Sequence, residues 1–123
     1  MKRQARLNTG VREVIHCVKD TIDKRPLERK TITTFANETG IGRNLLQKYF
    51  RQLFRIRINE YQKRKRMEAA AGMLEEGRLT IQKIASKCGY NSQSSFARVF
   101  KEVYRISPTK WKNGIKAAQE QQP

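Results

Sequence analysis

The stretch Ile81-Gln82-Lys83-Ile84-Ala85-Ser86-Lys87-Cys88-Gly89-Tyr90 decides how this chain folds, because apolar residues at helical spacing run straight into a glycine. The same pattern stands earlier as Ile32-x-x-Phe35-Ala36-x-x-x-Gly40-Ile41, at an offset of 49 residues. Beyond the glycine the match resumes at an offset of 50. Leu46, Phe50, Arg51, Phe54 and Tyr61 fall on Phe96, Phe100, Lys101, Tyr104 and Trp111. The second copy therefore carries one extra residue in or just after its turn. One structural unit is used twice, and the pattern of short helix, glycine turn and longer helix is a helix-turn-helix.

Working outward, Val11, Val14, Ile15, Val18 and Ile22 recur at helical spacing and predict a helix over 10–24, ended by Pro26. Thr31 is placed to cap the next helix, whose inner face is Ile32, Phe35 and Ala36. Gly40 supplies the positive φ of a sharp turn. A longer helix follows over 42–54, with Leu46, Tyr49, Phe50 and Leu53 inward. Residues 57–76 read as one helix burying Ile58, Tyr61, Met67, Ala70, Ala71 and Leu74, with Gly77 as its stop.

In the second copy Thr80 caps a helix with Ile81, Ile84 and Ala85 inward. Gly89 turns, Ser92 caps, and a helix over 93–103 buries Phe96, Val99, Phe100 and Val103. Ser107-Pro108 opens a last helix carrying Trp111 inward. No strand pattern is present. The expected fold is all-α, with about seven helices. It divides into a basic disordered arm (1–9), a first helix-turn-helix subdomain (10–56), a linking helix (57–77), a second subdomain (78–118) and a frayed tail (119–123).

Composition narrows the partner. Among 123 residues, 27 Lys and Arg face 11 Asp and Glu, a formal charge of +16. So large an excess repels itself unless a polyanion screens it, which points to nucleic acid first and an acidic membrane surface second. No apolar run approaches the roughly 20 residues of a membrane span, and the start Met1-Lys2-Arg3-Gln4-Ala5-Arg6 lacks a signal peptide's apolar stretch. Cys17 and Cys88 are isolated thiols without metal or disulfide spacing. The expectation is a cytoplasmic protein with no membrane partner, cofactor, metal site or catalytic residues.

From Ile81 to Trp111 the chain resembles the AraC/XylS family of bacterial transcription regulators. The residues carrying this are Ile84-Ala85, Cys88-Gly89-Tyr90, Ser92-Gln93-Ser94-Ser95-Phe96, Arg98-Val99-Phe100-Lys101 and Ser107-Pro108. The first half matches more loosely, through Phe35-Ala36, Gly40, Leu46-Gln47-Lys48-Tyr49-Phe50-Arg51 and Arg64-Lys65-Arg66-Met67. The resemblance implies a seven-helix fold whose two recognition helices enter successive major-groove segments on one face of DNA. It is nearest to the small family members without a sensor domain. Two departures stand in the first reader: Gly42 occupies a position often held by a capping Ser or Thr, and the connector from Pro26 to Lys30 is longer.

A recognition helix packs with one face and offers hydrogen-bonding groups with the other. In the first reader that offering face is Arg43, Asn44, Gln47 and Lys48; amides suit adenine, and a lysine can donate to guanine. In the second it is Gln93, Ser94, Ser95 and Arg98, with Arg98 suited to a bidentate guanine contact. Arg98 has two other readings, a phosphate clamp and an internal salt bridge. Thr31, Arg51, Lys63, Arg64, Arg66, Thr80, Ser92, Lys101, Lys110 and Lys112 are assigned to the DNA backbone. Lys63 to Arg66 are consecutive, so they cover the helix circumference and cannot all face one strand.

The function expected is a sequence-specific regulator binding double-stranded DNA as a monomer, activating through RNA polymerase as the resemblance implies. The alternative is an architectural protein that coats DNA without choosing sites; the polar faces of the recognition helices argue against it. Nothing supports an enzyme. Once both readers are placed, no stretch remains to fold a small-molecule domain. The chain is either a stand-alone regulator or the DNA-binding part of a longer protein.

Overall fold

The computed structural model describes the backbone of residues 9–120 and the side chains of residues 9–115. Among these residues there are seven helices and no strand: α1 (Thr9–Lys24), α2 (Ile32–Thr39), α3 (Arg43–Phe54), α4 (Ile58–Glu76), α5 (Ile81–Lys87), α6 (Gln93–Tyr104) and α7 (Pro108–Glu120). None of the described helices is long and apolar enough to cross a membrane. The fold class is the one the repeat predicts. At the ends the expectation needs correcting: Thr9 already belongs to α1, and Gln119 and Glu120 still belong to α7. The rest of the expected arm (1–8) and tail (121–123) lies outside the described residues.

The chain divides into two units, Met1–Gln62 and Lys63–Pro123, with the division falling inside α4. The first unit packs Ile15, Val18 and Ile22 of α1, Ile32 and Phe35 of α2, Leu46, Tyr49 and Phe50 of α3, and Ile58 of α4. Burying each large apolar side chain contributes about 1.5–3 kcal/mol. Polar ties add to this core. The buried Gln62 accepts from the Lys30 N–H at 3.4 Å and donates to the Lys30 carbonyl at 2.9 Å, which fixes the end of the long connector. The Tyr61 hydroxyl donates to Asp23, whose carboxylate also holds Lys19 at 2.9 Å.

The second unit buries Met67, Ala70, Ala71 and Leu74 of α4, Ile84 and Ala85 of α5, Cys88 just beyond α5, Phe96 and Phe100 of α6, and Pro108. Phe100 is its aromatic hub, with ring centroids 5.7 Å from Phe96, 4.8 Å from Tyr104 and 5.7 Å from Trp111. Ala36, Leu53, Tyr61, Ile81, Val99, Val103 and Trp111, expected inward, are half-buried. Small units leave a large share of their surface uncovered, so the edges of each apolar stripe stay at the rim.

The turns follow the sequence signals. Gly40, Gly77 and Gly89 all take positive φ, which glycine adopts without steric cost. Thr31, Thr80 and Ser92 each accept a hydrogen bond from the backbone N–H three residues on, at 3.0–3.1 Å. Gly42 sits at the N-cap of α3 and offers no side-chain cap.

Candidate nucleic-acid interface

The recognition helices α3 and α6 are built alike. α3 buries Leu46, Tyr49 and Phe50 and leaves Arg43, Asn44, Gln47 and Lys48 exposed. α6 buries Phe96 and Phe100 and leaves Gln93, Ser94 and Arg98 exposed. The apolar face anchors each helix to its unit, and hydrogen-bonding groups crowd the other face. Ser95 is half-buried: its hydroxyl accepts from Ser92 Oγ at 3.0 Å, so it is engaged in the cap.

The expected backbone contacts divide. Thr31, Arg51, Thr80, Ser92, Lys101 and Lys110 are exposed, and Lys112 is half-buried. On α4, Arg64 is exposed, while the Lys63 ammonium is half-buried and lies 3.6 Å from the Glu102 carboxylate. Arg66 requires a correction. It is buried, its guanidinium lies 5.9 Å from the Tyr90 ring centroid, and its Nε has no hydrogen-bond partner among the described residues. A group so enclosed cannot meet a phosphate; α4 turns it inward because four consecutive residues span the circumference.

Arg66 also faces the one strongly shifted thiol. Burial pushes the Cys88 thiol up from 9.0 to about 11, against the opposing pull of the Arg66 charge. That is the reverse of the low-pKa thiolate a redox sensor uses, and it fits a small core residue. His16 stacks edge-on against Phe54 at 5.2 Å.

Three features escaped the sequence reading. Leu45 is 46% exposed on α3 between two candidate base readers, where an apolar group can meet a thymine methyl. Arg57 and Asn59 share a concavity of about 550 Å³ with Gln47, Lys48 and Arg51. Both recognition helices end on an arginine with left-handed backbone, Arg55 and Arg105. The offset of 50 that pairs Phe50 with Phe100 also pairs these arginines, and was the available signal.

Two short-helix, glycine-turn, polar-helix units in one all-α chain define a double helix-turn-helix protein. The sequence model of a helix-turn-helix domain matches residues 35–114. The chain belongs to the AraC/XylS family of transcription regulators. Among its relatives is the probable transcription factor PqrA of Proteus vulgaris, 33% identical over 81 residues that cover 66% of this chain and 66% of PqrA. The transcriptional activator RhaR of Escherichia coli K12 is 29% identical over 79 residues, covering 64% of this chain and 28% of RhaR. This chain thus spans about two thirds of the one relative and under a third of the other. The DNA-binding domain of the global transcriptional factor AdpA, solved in complex with a target DNA, superposes with a TM-score of 0.79 at 19% identity, covering 88% of this chain and 97% of that one.

Proposed function

We propose that this protein regulates transcription by binding one DNA duplex as a monomer and reading two adjacent major-groove segments, one with α3 and one with α6. The observation that carries this reading is the two-faced construction of both helices: a buried apolar face opposite Asn44, Gln47 and Lys48 in one, and opposite Gln93, Ser94 and Arg98 in the other. Backbone neutralisation needs charge alone, whereas amides and hydroxyls on the outer face supply donor and acceptor patterns that base edges can match. AdpA's DNA complex supports the same use of this fold, and RhaR's activity supports activation.

In this reading Asn44 and Gln47 address adenine, Lys48 and Arg98 address guanine, and Leu45 meets a thymine methyl. Arg51, Arg64, Lys101, Lys110 and Lys112 neutralise phosphates, and the N-termini of α2 and α5 approach the strand. RNA polymerase is the partner that converts binding into activation. The test is fluorescence anisotropy of the chain on several unrelated duplexes at one salt concentration, with Gln47→Ala and Arg98→Ala alongside. The parent should prefer one duplex strongly, and each variant should flatten preference within one block only. Equal affinity for every duplex would leave a coating protein instead.

A further inference from the structure

Arg55 follows α3 at φ 61 and Arg105 follows α6 at φ 69, and they are the only described non-glycine residues with positive φ. They occupy equivalent positions of the repeat, 50 residues apart. Gly40, Gly77 and Gly89 meet the same backbone requirement with glycine. A left-handed residue crowds its Cβ against the following carbonyl oxygen, so this position favours glycine and penalises any L side chain. The cap is made by backbone: the Arg55 N–H donates to the Arg51 carbonyl and the Arg105 N–H to the Lys101 carbonyl, both at 2.8 Å. Glycine would make those bonds equally well. Both arginines are exposed, so core packing does not call for them either.

The surroundings supply a use. Arg105 lines a concavity of about 410 Å³ with Arg98, Lys101 and Glu102, and the Glu102 carboxylate lies 3.6 Å from the Lys63 ammonium. The concavity is cationic in balance. In the first unit Lys48 and Arg51, the repeat partners of Arg98 and Lys101, line a concavity with Arg57 and Glu60; Arg55 does not itself line it but stands two residues before Arg57, and its place is set by the repeat. A planar guanidinium presents paired donors that match a phosphate.

We propose that Arg55 and Arg105 are matched phosphate contacts, one closing each reader, kept in an unfavourable backbone conformation for their side chains. The inference rests on the DNA-reading proposal above and adds to it two residues that do not read sequence. A cation at a helix C-terminus also complements the helix dipole; that effect appears in thermal stability and not in the salt dependence of binding.

The experiment measures DNA affinity against salt concentration for the parent, Arg55→Gly and Arg105→Gly, with Arg55→Asn and Arg105→Asn as a second pair, since asparagine tolerates the left-handed region. Each phosphate contact contributes about 0.9 to the slope of log affinity against log salt. The ratio of affinities at 50 and 200 mM salt should therefore shrink about 3.5-fold per variant, equally on preferred and unrelated duplexes. Melting temperatures of the glycine variants should hold or rise. Variants that keep the parent's slope would overturn the inference while leaving DNA reading intact. A parent that binds no duplex at 50 mM salt would overturn the reading itself.

Discussion

Arg98 should behave unlike the cations around it when removed. It is exposed on the outer face of α6, next to Lys101 in one concavity. Arg98→Ala is expected to relax preference at particular base pairs of the second block by about 1–3 kcal/mol, measured by affinity on single-base substituted duplexes. A uniform loss on all of them would make it a phosphate contact. Cys88 gives a residue-scale prediction of another kind. Its thiol is pushed from 9.0 to about 11 in the folded chain, so between those values the unfolded chain loses a proton that the folded one keeps. Stability from this group is full below about pH 9 and falls as pH rises toward 11. Denaturant melts at pH 8 and 10 should show a drop that Cys88→Ala reduces. The sequence showed Cys88 as an isolated thiol one residue before the turn glycine, and the fold buries it completely. The sequence misassigned Arg66, because a basic run gives no sign of which member faces inward until the helix is packed.

Helix ends carry the element-scale energetics. Gly42 begins α3 with φ −59 and ψ 151, and a Cβ there would meet nothing within 4 Å. Gly42→Ser should therefore stabilise the chain by about 0.5–1 kcal/mol, by adding the missing cap and restricting the unfolded chain. Thr80→Ala should cost about 1 kcal/mol, since Thr80 accepts from the Lys83 N–H at 3.1 Å. Thermal melts of both variants test the pair, and opposite signs are required. The elements α2, α5, α6 and α7 were readable because each begins at a Thr or Ser, and the turns after α2, α4 and α5 because each carries a glycine. The ends of α3 and α6 fall within one residue of those expected, but their left-handed caps went unread, since arginine there leaves no compositional mark. The hold of Gln62 on Lys30 likewise joins residues far apart in sequence, which local periodicity cannot reveal.

At the scale of the whole molecule, a charge of +16 guarantees affinity for polyanions but not choice among them. Choice has to come from the outer faces of α3 and α6. The repeat made the architecture legible, since two offset copies leave room for little besides a linking helix. The base contacts were legible only as exposed faces, because which side chain meets which base depends on the duplex. The most direct test of bipartite reading is selection of bound sequences from random duplex DNA at about physiological salt. Two sequence blocks about one helical turn, roughly 10 base pairs, apart should emerge. A pool that stays random after selection would contradict sequence reading and leave a protein that coats DNA by charge.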